Sequence, residues 1–198
     1  MIVAEFLGSR PDRIWTLARQ MGIRYAVTGM GIATDRFAPW DYEPLLRMAQ
    51  QYRDNGIIPL VVESRPPANK IKLGLPGRDE EIETVIRLIR NMGRVGIPIY
   101  CYDFMAQFGW LRTSMDIRTR GGALATGYDH AVLANAPLTD AGIVSEEQLW
   151  DNLRYMLEAI VPEAEKANVK LALHPDDPPI SPIRGEARIL VIAAARQK

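Results

Sequence analysis

Short apolar runs along the chain alternate with longer segments in which apolar residues recur every three or four positions. Ile2 to Leu7 is apolar apart from Glu5 and predicts a first strand. After the turn Gly8-Ser9-Arg10-Pro11-Asp12, residues Ile14, Leu17, Ala18 and Met21 keep helical spacing up to Gly22. Ile23 to Thr28 predicts a second strand. Asp41 is placed to cap a helix reaching about Arg53, with Leu45, Met48, Ala49 and Tyr52 on one face. Ile57 to Ser64 is almost wholly apolar, as a parallel strand covered on both faces should be, and carries Glu63 at its carboxyl end. Arg65 to Gly77, rich in proline and lysine, reads as a long loop. A helix follows Asp79, with Ile82, Val85, Ile86, Ile89 and Met92 in register. Glu80, Glu81 and Glu83 sit in its first turns, where the helix dipole favours anions, and Gly96 ends it.

Ile97 to Phe104 is a fourth strand with Asp103 near its end. Residues 105–138 lack helical periodicity and read as an excursion, either a β-hairpin or an ordered lid. This stretch holds Trp110, Arg112, Gly121-Gly122, Tyr128 and His130. Ser145-Glu146-Glu147-Gln148 has the form of a capping box. The helix after it carries Leu149, Leu153, Met156, Leu157 and Ile160, and Pro162 predicts a kink or a break into two helices. Lys170 to His174 is the fifth strand.

Alternation of this kind predicts an α/β fold with a parallel sheet and crossover helices. No Gly-x-Gly-x-x-Gly follows a strand and no phosphate loop is present, which disfavours a nucleotide-binding open sheet. Polar groups close three of the strands: Glu63, Asp103 and His174. Such groups at several strand ends are what a barrel-type site requires. The fold expected is a partial (β/α) TIM-type barrel of about five parallel strands with outer helices, one domain spanning 1–198.

Composition narrows the picture. The 198 residues are 47% hydrophobic, enough for a sizeable core, and 24 Lys+Arg balance 24 Asp+Glu. A net charge of zero points to neither nucleic acid nor an anionic membrane surface. Cys101 is the single cysteine, so no internal disulfide forms and a reducing cytoplasm is expected; its apolar strand suggests a packed core residue. No apolar run is long enough to span a bilayer, and the first residues lack the features of a signal peptide.

The chemistry concentrates in Lys170-Leu171-Ala172-Leu173-His174-Pro175-Asp176-Asp177-Pro178-Pro179. An apolar run delivers an imidazole and two carboxylates onto a loop stiffened by prolines. Imidazole and carboxylates around a divalent ion suit oxygen-rich ligands. The same stretch also reads as a polar turn after an edge strand.

Several segments closely resemble mannonate dehydratases. They are Val62-Glu63-Ser64, Ile71 to Glu83 (IKLGLPGRDEEIE), Gly96 to Met105 (GIPIYCYDFM), Trp110-Leu111-Arg112-Thr113 and, most specifically, Leu171 to Pro179. The resemblance covers about residues 57 to 190. It implies a barrel of the xylose-isomerase-like superfamily and dehydration of D-mannonate to 2-keto-3-deoxy-D-gluconate in hexuronate breakdown. It further implies Mn²⁺ or Fe²⁺ as cofactor, with His174 as a metal ligand. In the family a cysteine, a histidine and an aspartate that follow that histidine complete the ligand set. This chain ends at Lys198 without counterparts for them, and Cys101 lies far upstream. The expectation is therefore a truncated relative that keeps five of eight strands and has weak activity or none. An alternative is a non-catalytic half-barrel or interaction protein; a further one is a sugar isomerase or epimerase of the same superfamily.

For the remaining residues two readings stand side by side. Asp176 and Asp177 orient His174 or bind sugar hydroxyls, or else cap the turn. Trp110 and Arg112 close over the substrate, with Arg112 gripping its carboxylate through both nitrogens, or else pack the excursion. Glu63 and Asp103 bind substrate hydroxyls or are structural, and His130 is an ordinary polar residue. Open sheet edges predict a homo-oligomer. The tail Val191 to Lys198 is helix-friendly.

Overall fold

The computed structural model describes residues 1–191, so the helix-friendly tail lies outside the described residues from 192 onward. In chain order the elements are β1 (Ala4–Phe6), α1 (Arg13–Gln20), β2 (Tyr25–Thr28), α2 (Tyr42–Asp54), β3 (Ile58–Glu63), α3 (Asn69–Leu73), α4 (Arg78–Val95), β4 (Ile99–Tyr102), β5 (Ser114–Arg118), β6 (Leu124–Gly127), α5 (Glu146–Ala167) and β7 (Lys170–Leu173). They divide between two compact units. One comprises residues 1–68, 76–102 and 155–173; the other comprises 69–75, 103–154 and 174 onward.

The first unit is built on a sheet of order β1-β2-β3-β4-β7, in which every neighbouring pair is parallel. These are the five strands that the apolar runs predict, each trimmed at its ends. Glu63 stands opposite Cys101, and Cys101 opposite Ala172. Leu45, Met48, Ala49 and Tyr52 on α2 are buried, as are Leu88, Ile89 and Met92 on α4. Each fully buried large side chain contributes on the order of 1.5–3 kcal/mol, so these helical faces hold the unit together. The Tyr52 ring stacks on Trp15 at 4.0 Å, and its hydroxyl reaches the Leu7 and Gly8 carbonyls at 2.7 and 2.8 Å.

Several local expectations change. Asp41 occupies the N-cap position of α2 but makes no side-chain cap; its carboxylate accepts the Ala38 N–H at 2.8 Å and pairs with Arg87 at 2.6 Å. Charge attraction from another helix outcompetes the local bond. Pro162 does not break α5, which runs unbroken from Glu146 to Ala167. Proline removes one backbone bond, while Ile160 and Ala164 on either side stay buried and hold the helix in place. Cys101 is half-buried rather than a core residue. In β3, Val62 is buried but Leu60 and Val61 are only partly so; the described residues do not cover both faces.

The second unit holds the excursion, which is a β-hairpin: β5 and β6 pair antiparallel, Arg118 opposite Leu124 and Ser114 opposite Gly127. Gly121 and Gly122 turn the chain between them with φ of 73° and 79°, a backbone region that side chains disfavour. The loop 65–77 contains α3, which composition did not reveal. The capping box is half made. Ser145 Oγ accepts the Gln148 N–H at 3.2 Å, while the Gln148 side chain donates to the Leu73 carbonyl at 3.1 Å. Among the described residues no helix is long and apolar enough to cross a membrane.

Candidate functional site

Four of the expected residues meet in the second unit. His174 and Pro175 follow immediately after β7. His174 Nδ1 lies 2.6 Å from the Pro175 carbonyl. A carbonyl only accepts, so Nδ1 carries the proton and the lone pair of the neutral ring sits on Nε2. The Trp110 ring meets His174 edge-on, with centroids 5.1 Å apart and planes at 77°. Asp177 receives the guanidinium of Arg112 through two bonds of 2.8 and 2.7 Å. Arg112 also donates to Thr126 Oγ1 on β6 and to the Leu111 carbonyl, both at 3.0 Å. The arginine fork that the sequence assigns to a substrate carboxylate is thus engaged by a carboxylate of the protein. It ties the hairpin to the loop after β7, and Asp177 favours its charged form.

Beneath this surface lie buried charges. Asp176 is 3% exposed, and its Oδ2 accepts the Leu190 N–H at 2.8 Å. Burial pushes its pKa up; the Leu190 bond and the charge of Arg188 pull it back, while the charge of Asp103 adds to the rise. Asp103 is buried as well and accepts from Lys72 Nζ at 2.9 Å and from the Met105 N–H at 3.1 Å. Lys72 Nζ also donates to the Met105 carbonyl at 3.1 Å. Removing one partner of such a buried pair costs roughly 3–5 kcal/mol, because the other charge is stranded. The sequence reading missed Lys72. Its signal was a lysine set between Ile71 and Leu73, two apolar residues that proved buried.

Glu63 belongs to the first unit, half-buried at the end of β3. His130 is exposed, its Nδ1 2.8 Å from the Tyr128 hydroxyl. His174 has the tautomer a metal donor needs. Among the described residues, however, no group of three or more His, Cys, Asp or Glu is arranged to hold a metal ion. A catalytic ion ordinarily takes three or more protein ligands, so the described residues do not by themselves fit one.

The sequence profile of the D-mannonate dehydratase (UxuA) family matches residues 16–141 and 138–198. The mannonate dehydratase of Streptococcus pneumoniae (strain 70585) is 37% identical over 175 residues, covering 76% of this chain and 48% of the relative. Mannonate dehydratase 1 of Bacillus licheniformis is 35% identical over 181 residues, covering 76% and 49%. The chain therefore spans about half the length of the curated relatives it matches. The crystal structure of mannonate dehydratase from Streptococcus suis serotype 2 superposes with a TM-score of 0.86 at 33% identity, over 99% of this chain and 58% of that one. An L-ribulose 3-epimerase, at 15% identity and a TM-score of 0.58, shares the fold over 100% of this chain and 55% of its own. The five-stranded sheet is thus an unclosed part of a TIM-type barrel.

Proposed function

Because the chain belongs to the D-mannonate dehydratase family, we propose that it forms the amino-terminal part of a site that dehydrates D-mannonate to 2-keto-3-deoxy-D-gluconate. The observation that supports this reading is the convergence of His174, Trp110, Arg112 and Asp177 within one unit. Dehydration breaks the C–H bond α to the carboxylate and expels the β-hydroxyl as water; the enol that remains tautomerises to the keto acid. Negative charge grows on the carboxylate side as the proton leaves, and a fixed cation there lowers the barrier. The charge of Arg112 is already largely offset by Asp177, so the role proposed for the pair is to orient the substrate by hydrogen bonds rather than to supply that cation. Trp110, edge-on to His174, is proposed to pack against the bound substrate. Glu63 is proposed for a substrate hydroxyl. Asp103 and Asp176 act from behind, since both are buried.

The divalent ion implied by the family, Mn²⁺ or Fe²⁺, would take His174 as one donor, and among the described residues no further His, Cys, Asp or Glu completes a set of three. We therefore expect the 198-residue chain alone to turn over D-mannonate very slowly or not at all. The described donor set equally favours a second reading, a non-catalytic half-barrel of the same ancestry. The setting proposed is a cytoplasmic one, and β1 and β7, each paired on one side only among the described residues, favour a homo-oligomer, which light scattering tests. The deciding experiment assays purified chain with D-mannonate and Mn²⁺ beside His174→Ala, with Mn²⁺ binding followed by electron paramagnetic resonance. Robust turnover abolished by His174→Ala would overturn the expectation of an incomplete site. Mn²⁺ affinity indifferent to His174→Ala would remove that histidine from the metal.

A further inference from the structure

A continuous set of bonds runs through the second unit from α5 to the hairpin. Asn152 Nδ2 donates to the Lys72 carbonyl at 2.9 Å, and the Gln148 side chain donates to the next carbonyl, that of Leu73. These two bonds hold the short helix α3 that carries Lys72. Gly74, at φ +68°, lets the chain leave α3 right against Asn152; a Cβ there would lie 2.8 Å from Asn152 Oδ1. Lys72 Nζ, buried, then engages Asp103 Oδ1 and the Met105 carbonyl, while Asp103 Oδ1 takes the Met105 N–H. The Met105 backbone is thus fixed on both its donor and its acceptor. Its side chain continues the series: Met105 Sδ accepts the Asp177 N–H at 3.3 Å. Asp177 in turn holds the fork of Arg112, and Arg112 holds Thr126.

We propose that Lys72 is a positioning residue, which through Asp103 and Met105 sets the orientation of the Asp177–Arg112 pair beside His174. The proposal rests on the reading of that pair as part of the substrate site. Its physical basis is that a buried ammonium can satisfy its donors only along directions fixed by its partners, so it transmits position rather than merely filling space. In this series Lys72 acts on the pair through Asp103 and Met105. Loss of such support behind a site typically costs about 10–100-fold in affinity or activity.

The test uses the full 198-residue chain, labelled with ¹⁵N, and follows the Arg112 Nε–H resonance, assigned by its loss in Arg112→Lys. D-mannonate binding in the presence of Mn²⁺ is measured by calorimetry on the same samples. In Lys72→Met the Arg112 resonance should shift or broaden, and D-mannonate affinity should fall roughly 10–100-fold. Lys72→Arg, which keeps the charge, should restore part of the signal. The double variant Lys72→Met/Asp103→Asn should be no worse than Lys72→Met alone, because both changes cut the same link. A purely structural lysine would lower the melting temperature and leave the Arg112 resonance in place. That result, or additive losses in the double variant, overturns the proposal. If Lys72→Met does not fold, the double variant and Lys72→Arg carry the same readouts without a stranded buried charge. If the unsubstituted chain does not bind D-mannonate, the functional reading falls, and the Arg112 resonance still decides the role of Lys72.

Discussion

Glu186 offers a direct test of how the second unit is held. The residue is 1% exposed, and neither carboxylate oxygen has a hydrogen-bond partner among the described residues. Its backbone is held by hydrogen bonds at Glu186 and at both neighbours. The Glu186 N–H donates to the Ile183 carbonyl at 3.0 Å, the Ile183 N–H donates back at 2.9 Å, and Val144 pairs with both flanking residues. Burial pushes the Glu186 pKa up, and the nearby Thr139 hydroxyl and the charges of Arg188 and Arg184 offset only part of that. A buried polar group without a partner costs about 1–3 kcal/mol, and replacement by an apolar group of similar shape recovers it. Glu186→Leu should therefore stabilise the chain near neutral pH, by less than the full ~1–3 kcal/mol because the interactions with Thr139, Arg188 and Arg184 are lost with the carboxylate. For a chain of this length each kcal/mol moves the melting temperature by roughly 2–4 °C. The sign with pH follows from the raised pKa. Below the ordinary carboxylate value both folded and unfolded forms keep the proton, and the wild type suffers no charging penalty. As pH rises, the unfolded chain ionises first and the wild type loses stability until the folded carboxyl also ionises. The advantage of Glu186→Leu should thus grow from about pH 4 upward and then level off. Thermal melts across that range measure it. A lower melting temperature for Glu186→Leu at neutral pH, or a gain independent of pH, would refute the reasoning and mean that Glu186 has a partner there.

Two further outcomes test the first unit. Gly93→Ala on α4 should destabilise in urea denaturation. The new Cβ would lie 2.4 Å from the Ala167 carbonyl oxygen, and overpacking of this kind costs about 1–3 kcal/mol against a helix-propensity gain of about 1 kcal/mol at most; a net gain would show that α4 and the end of α5 can move apart. Tyr52 and Tyr102 are both pushed up to about 12 by burial, so ultraviolet titration should show them ionising after the exposed tyrosines, with stability falling as pH rises from about 10 toward that value. Tyr52→Phe should remove a late-titrating group and no early one.

Element type and order were legible because they depend on local pattern. Apolar runs such as Ile57 to Val62 are too short for a buried helix and fit a strand, and the three-to-four spacing of Ile82, Val85, Ile86 and Ile89 forms a single face only on a helix. That alternation predicts parallel neighbours, and the observed β1-β2-β3-β4-β7 order follows. The absence of a helical period between 105 and 138 marked an excursion, and the sequence left open whether it was a hairpin or an ordered lid. The loop from His174 to Pro179 stood out because an imidazole and two acids followed an apolar strand.

Pairing between distant side chains was not legible, because charge attraction and hydrogen bonding in a dry interior act across the chain and leave no period in it. Asp41 turned from capping its own helix to Arg87, and Arg112 closed on Asp177 across 65 positions. Lys72 was hidden inside an apparently irregular loop. A lysine in a sequence reads as solvated; only the fold brings Asp103 and the Met105 carbonyl to it, at a cost in lost hydration that those bonds offset. Asp103 and Asp176 were singled out as candidate acids for substrate hydroxyls, yet whether they face solvent or are enclosed depends on what is packed over them. Burial is a property of the assembled chain, and it separates the half-open surface of Arg112 and Asp177 from the enclosed charges behind it.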